Sequence, residues 1–154
     1  MQPLLALLLA LSAAAYAAEA RAQVMAVEAI EARLFFAHSG SFSEPLSENQ
    51  ALWNAIIGES GLTEPSTSTL VKVLVVGPPK AFNKNAQVIL QVDVLSRHAT
   101  RSRQSKHLGV FGESGRQYVA FWLPNTGCES LRLSANLSGS KKAIVRMLPF
   151  ACGE

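Results

Sequence analysis

The clearest indication of fold class in this chain is the segment Gln87-Val88-Ile89-Leu90-Gln91-Val92-Asp93-Val94-Leu95. Its apolar residues recur at every second position, as Val88, Leu90, Val92 and Val94. Because successive side chains of a strand point to opposite faces, this alternation predicts a strand with one buried face. The stretch from Leu70 to Val76 is almost wholly apolar, which predicts a second strand that is buried on both faces or nearly so. Two such strands point to a β protein.

The rest of the sequence extends this pattern. Short apolar or alternating runs near 33–38, 117–123, 129–137 and 142–150 are separated by clusters of Gly, Ser, Pro and Asn. One helix is predicted near 48–57, because Ser47 and Gln50 form a capping box and an apolar stripe follows at Leu52, Trp53, Ile56 and Ile57. We therefore predict a mainly β, single-domain antiparallel β-sandwich of six to seven short strands with one short helix. A partly open barrel is the alternative.

The N-terminal segment predicts export. Leu4 to Ala15 is apolar and uncharged, and small residues at 15–20 fit a signal-peptide cleavage site. The run is too short to span a bilayer core of roughly 30 Å, so we expect no transmembrane segment in the mature chain. We interpret 1–20 as a cleaved signal peptide, 21–32 as an N-terminal arm and 33–154 as the β-sandwich domain. The expected location is periplasmic or extracellular.

One basic segment stands out in a chain of modest net charge. The formal net charge is +3, but no acid occurs between Asp93 and Glu113. We interpret residues 97–107 as a basic loop, with four charge donors: Arg97, Arg101, Arg103 and Lys106. Arginine donates two parallel hydrogen bonds to phosphate or carboxylate, so the loop is a candidate contact for an anionic envelope component or a protein partner. No aromatic residue interleaves the cluster, and we therefore expect no nucleic-acid partner.

The two cysteines and the last two strands make a linked prediction. An exported chain meets an oxidising compartment, which favours a disulfide between Cys128 and Cys152. The strands near 129–137 and 142–150 flank a Gly-containing turn and should form a hairpin. Opposite residues whose numbers add up to 280 would keep one face apolar, with Leu133 against Met147, and would also align the cysteines. Numbers adding up to 279 would set Leu133 against Arg146, so we predict the first register.

Nothing in the sequence gives a strong catalytic signal. His38, His98 and His107 lack metal-ligand spacing, and we expect no cofactor and no metal site. The leading hypothesis is a non-catalytic exported binding or interaction module. The alternative is a small secreted hydrolase in which one of these histidines meets Asp93 and a serine from a distant part of the chain. A third possibility is an envelope component whose sheet edge pairs with another chain.

Overall fold

The computed structural model of the chain describes residues 24–47, 52–53, 65–66, 68–126 and 129–151. The strands in these ranges are β1 (Ala26–Phe36), β2 (Ser41–Phe42), β3 (Leu52–Trp53), β4 (Ser68–Val76), β5 (Gln87–Val94), β6 (Ala99–His107), β7 (Arg116–Pro124), β8 (Leu131–Leu137), β9 (Ala143–Leu148) and β10 (Phe150–Ala151). Seven of them have six or more residues, and six of these seven overlap segments that the sequence predicts as strands, β6 being the exception.

Two four-stranded antiparallel sheets build the protein. The front sheet has the order β2-β1-β4-β7, and the back sheet has the order β6-β5-β8-β9. Both central strands of the back sheet bury every second residue, as the alternation of β5 predicts. These side chains meet those of the front sheet in one apolar core, which includes Val73, Phe121, Leu90 and Leu133. The predicted mainly β sandwich is therefore confirmed, and its two sheets are separate rather than closed into a barrel.

The first strand is longer than its apolar sequence suggests. Strand β1 begins at Ala26, so residues 26–32 of the predicted N-terminal arm belong to it. Residues Ile30, Ala32 and Leu34 alternate into the core, while Ala29, Glu31 and Arg33 point outward. The small Ala32 on the buried face and the apolar Phe35 on the outer face obscure this period in the sequence. The predicted signal peptide at 1–20 lies outside the described residues.

The predicted helix near 48–57 is wrong where the structure describes it. Leu52 and Trp53 form β3, which pairs in parallel with β10 through Phe150 and Ala151. The capping and stripe signals were local, and pairing with a strand almost a hundred residues away overrides them. The remaining residues of that segment lie outside the described ranges.

The C-terminal hairpin is confirmed, but its predicted register is wrong. Leu131 lies opposite Leu148 and Leu133 opposite Arg146, so the numbers add up to 279 rather than 280. Arg146 occupies an inward position and is only 9% exposed. The apolar Val145 and Met147 point outward instead, with 44% and 41% exposure. The prediction failed because it assigned Ala143, Val145 and Met147 to the buried face, whereas Arg146 and Leu148 are the buried residues of β9.

The predicted disulfide remains a prediction. Cys128 and Cys152 both lie outside the described residues, and no disulfide occurs within the described ranges. The register that was to align them is absent from β8 and β9. The chain segments that lead to the two cysteines nevertheless approach each other, since the Ser130 hydroxyl donates a hydrogen bond to the Phe150 carbonyl at 3.4 Å.

Candidate interaction surface

The basic segment is an edge strand and not the predicted loop. Residues 99–107 form β6 at the edge of the back sheet, where they pair with β5. The turn between these strands ends at His98, which has a positive φ of 49°. None of the side chains of β6 is buried. The strand lies at the edge of the sheet, and its side chains do not contribute to the apolar core. Hydrophobic alternation is therefore absent from this segment, and no pattern in its sequence predicts a strand.

A β-bulge in this strand turns the Arg101 side chain toward the front sheet. The register of β5 and β6 shifts between Val92 and Asp93, which leaves Arg101 as the extra residue. Gln104 and Lys106 lie opposite the buried residues Leu90 and Val88, so they share the side that faces the front sheet. A bulge breaks the alternation of side chains, which lets Arg101 join them.

These three side chains, which we call the rim donors, bind the edge of the front sheet. Arg101 donates hydrogen bonds to the carbonyls of Pro124 and Asn125, at 2.8 and 2.7 Å. Gln104 donates to the carbonyl of Trp122 at 3.3 Å. Lys106 donates to the carbonyl of Ala120 at 2.6 Å, and its Nζ lies 5.4 Å from the ring centroid of Phe121. Every second carbonyl along the free edge of β7 from Ala120 to Pro124 is thus satisfied by a side chain from the other sheet.

The four predicted contact residues therefore separate into two groups. Arg97, Arg101 and Lys106 lie along the rim, where Arg97 also pairs with Glu129 at 2.6 Å and Arg101 approaches the same carboxylate at 3.8 Å. Arg103 lies opposite Gln91, on the outer face of the back sheet. The carbonyl partners do not neutralise charge, so the rim keeps a positive balance. Arg101 and Lys106, however, donate hydrogen bonds to backbone carbonyls of the front sheet.

We expect Arg101→Ala to lower the free energy of unfolding by about 1 to 2 kcal/mol, because two charge-assisted hydrogen bonds are lost at a position that is partly exposed. Arg103→Ala is the matched control, since it removes the same side chain from an exposed position in the same strand. It should change stability by less than about 0.5 kcal/mol. Urea denaturation of both variants measures this difference. Equal effects would contradict the structural role of Arg101.

An aromatic cluster on the outer face of the front sheet was missed by the sequence analysis. The Phe35 ring lies 5.1 Å from that of Trp122 in an edge-to-face arrangement and 5.3 Å from that of Phe42. Phe42 is 45% exposed and Trp122 40% exposed. Tyr118, at 57% exposure, lies on the same face of β7. The adjacent residues Phe121 and Trp122 cannot both point inward, so one aromatic residue of this pair has to be exposed.

Charged side chains lie beside the aromatic residues on this face. The Glu31 carboxylate accepts from Lys72 at 2.6 Å and from Arg33 at 2.8 Å. Partial burial raises the pKa of Glu31, but the contacts with Lys72 and Arg33 outweigh this effect and hold the pKa below its ordinary value. The Lys72 Nζ also lies 5.3 Å from the ring centroid of Tyr118. Two cations therefore share one carboxylate, and the face is positive at neutral pH.

The arrangement that the hydrolase alternative needs is not present among the described residues. Asp93 accepts hydrogen bonds from Thr100 at 2.8 Å and from Gln91 at 3.0 Å. His98 lines the same shallow groove as Asp93, but no hydrogen bond joins them. His107 hydrogen-bonds the side-chain amide of Gln87 at 3.1 Å. Within the part of the chain that the structure describes, no histidine side chain hydrogen-bonds a carboxylate.

Other site classes gain no support from the described ranges. No group of three metal-ligating side chains gathers there, and no helix there has the length and apolarity needed to cross a bilayer. Comparison of the chain with protein-family models and with curated proteins gives no match.

Proposed function

We propose that the chain is a non-catalytic, exported binding module that contacts an acidic protein partner. The contact surface is the binding face, which comprises the outer face of the front sheet and the adjoining rim. Its aromatic part contains Phe35, Phe42, Tyr118 and Trp122, and its basic part contains Arg33, Lys72, Arg97, Arg101 and Lys106. The apolar run at 4–15 and the small residues after it support export.

The exposed aromatic cluster carries this proposal. Contiguous apolar surface on a protein marks interaction sites, and Trp, Tyr, Phe and Arg are enriched at protein interfaces. Phe42 and Trp122 are both large and both more than one-third exposed, and Phe35 joins them. The interplanar angles of 52° and 68° show that the three rings are tilted against each other and do not form a flat platform. This shape favours insertion into a partner's surface over stacking against a polysaccharide chain.

Charge supports an acidic partner. Lys72 and Arg33 share the single carboxylate of Glu31, and Arg97 and Arg101 share that of Glu129. Lys106 binds only a neutral carbonyl. The binding face is therefore positive along both its centre and its rim. Complementary charge raises association rates and rejects basic competitors, while buried aromatic anchors supply most of the affinity.

The test compares two soluble polymers, polyglutamate and a random copolymer of glutamate and tyrosine. We expect the protein to bind the copolymer more tightly, with an affinity that falls as salt rises. Trp122→Ala should weaken copolymer binding about tenfold, which is a moderate effect for an aromatic anchor. The matched control is Phe82→Ala, because Phe82 is 62% exposed but follows the opposite end of β4. Fluorescence anisotropy measures these affinities. Equal losses in both variants, or no binding at all, would contradict the proposal.

A further inference from the structure

Two arginines and one carboxylate meet at the end of the rim, beside the turn that follows β5. A shallow groove there is lined by Arg97, Arg101, Asn125 and Glu129, among other residues. Glu129 is the only acidic residue among the described residues that line this groove. Two guanidinium groups thus share one carboxylate, and the groove keeps a positive charge.

The Glu129 carboxylate lies between the two guanidinium groups. Its Oε1 accepts from Nη2 of Arg97 at 2.6 Å, and its Oε2 lies 3.8 Å from Nη1 of Arg101. The second distance is longer than a hydrogen bond. Nη2 of Arg101 binds the carbonyls of Pro124 and Asn125, whereas no described residue accepts a hydrogen bond from Nη1. Arg101 therefore presents a donor that the described residues leave unused.

The ion pair between Arg97 and Glu129 is open to solvent. The Arg97 side chain is 73% exposed and that of Glu129 is 27% exposed. Exposed ion pairs contribute little to stability, because water solvates both partners when the pair separates. A carboxylate of another molecule can therefore take the place of Glu129 without leaving a buried charge unpaired.

We propose that Arg97 and Arg101 form a carboxylate-binding site in which Glu129 occupies the place of an acidic side chain of the partner. On binding, the partner's carboxylate displaces Glu129 and accepts hydrogen bonds from Arg97 and from Nη1 of Arg101. Glu129 lowers the affinity of the free site, so an acidic molecule that makes no further contacts is not retained. This inference rests on the proposed function, because the site belongs to the binding face.

The position of the site also describes the partner. Pro124, whose carbonyl binds Arg101, lies in one row of the front sheet with Ser68 and Phe35. Neighbouring strands lie about 4.8 Å apart, so the two ends of this row are roughly 10 Å apart. An extended segment covers that distance in about three residues. We therefore expect the partner to carry an acidic residue about three positions from the aromatic residue that contacts the aromatic cluster.

Fluorescence anisotropy with the copolymer of glutamate and tyrosine tests the displacement. Glu129→Gln removes the competing charge but keeps the shape of the side chain, so copolymer binding should become about threefold tighter. Glu113→Gln is the matched control, since it also removes one charge from an ion pair, which Glu113 forms with Lys80 at 3.0 Å. The nine residues of β7 separate the two glutamates by roughly 25 Å. Because charges are screened over about 8 Å, the control should change the affinity by less than about 1.5-fold.

Arg97→Ala is the complementary variant. It removes a donor that the partner's carboxylate uses, so copolymer binding should become about threefold weaker. Arg103→Ala removes an arginine from the outer face of the back sheet and should leave this affinity unchanged. An affinity of Glu129→Gln equal to that of the natural chain, or an equal gain for Glu113→Gln, would overturn the inference.

A titration with glutarate tests the site without the copolymer. In NMR spectra of Glu129→Gln, glutarate should shift the side-chain Nε–H signals of Arg97 and Arg101, and the same titration of the natural chain should give smaller shifts. If the copolymer does not bind but these shifts occur, the proposed function is wrong and the carboxylate-binding site is supported. If glutarate leaves both arginine signals of Glu129→Gln unchanged, the site is refuted, whether or not the copolymer binds.

Discussion

Arg146→Ala is expected to lower the free energy of unfolding by about 3 kcal/mol, because hydrogen bonds from a buried charged group to two carbonyls are lost and both carbonyls are left unsatisfied. The Arg146 guanidinium donates to the carbonyl of Ile30 at 2.6 Å and to the carbonyl of Leu46. It thereby joins β9 of the back sheet to β1 of the front sheet and to the segment that follows β2. Arg146 thus bridges the two sheets between β9 and β1, as the rim donors bridge them between β6 and β7.

The surroundings of Arg146 explain why the loss should be large. Its side chain lies beside Leu133 at an inward position, and no described carboxylate pairs with it. Its Nε has no hydrogen-bond partner among the described residues. Among the described residues, the partners of this charge are the two carbonyl groups. Removing the side chain opens a cavity and also exposes the edge of β1.

Urea denaturation followed by circular dichroism measures this effect. Arg132→Ala is the matched control, because Arg132 lies in the neighbouring strand with its side chain exposed, and its loss should cost less than about 0.5 kcal/mol. The loss of stability for Arg146→Lys should lie between those for Arg146→Ala and Arg132→Ala. A lysine ammonium keeps the charge but lacks the planar guanidinium that reaches both carbonyls. A loss below about 0.5 kcal/mol for Arg146→Ala would contradict the role of this side chain.

Gly115→Ala is the second substitution with a large expected effect, and we expect it to cost about 3 kcal/mol or more. Gly115 has a positive φ of 63°, which side-chain-bearing residues rarely adopt. A Cβ atom there would lie 2.5 Å from the Gly77 carbonyl oxygen, and the Gly115 carbonyl accepts from the Gly77 amide at 2.9 Å. This contact joins the end of β4 to the start of β7, so the strain falls on the backbone of the front sheet.

Substitutions at two other glycines serve as controls for this prediction. Gly139 has a positive φ of 79° but open space around it, so Gly139→Ala should cost about 1 kcal/mol from strain alone. Gly112 has neither a positive φ nor a close neighbour, so Gly112→Ala should cost less than about 0.5 kcal/mol. We expect the denaturation midpoint to be lowest for Gly115→Ala, higher for Gly139→Ala and highest for Gly112→Ala. Equal midpoints for Gly115→Ala and Gly112→Ala would contradict it.

The parts of the fold that were predicted are those that bury apolar side chains. Strand β5 buries Val88, Leu90, Val92 and Val94 as its alternation requires, and the C-terminal hairpin follows from its turn and its apolar runs. Strand β6 was interpreted as a loop, because its side chains bind carbonyls at the rim rather than filling the core. Hydrophobic periodicity carries no information about such a strand.

The candidate surface was only partly predicted, and the reasons are physical. The basic cluster was visible, but its division between the rim and the outer face depends on the bulge at Arg101. The aromatic cluster depends on which face of each strand is buried. The neighbours Phe121 and Trp122 show that one aromatic residue of the pair must be exposed, yet only long-range pairing brings Trp122 to Phe35. The register of β9 places Arg146 on the buried face, and a pattern of apolar residues cannot predict a buried arginine.

NMR mapping of the contact surface tests whether the binding face takes part in binding. Adding the copolymer of glutamate and tyrosine to labelled protein should shift the indole N–H signal of Trp122 and the amide signals of Phe42 and of β7. The signals of Phe82 and of the outer face of the back sheet should stay in place. Shifts of this kind would support the binding face defined above. Shifts confined to the back sheet, or an unchanged spectrum at a copolymer excess, would contradict it.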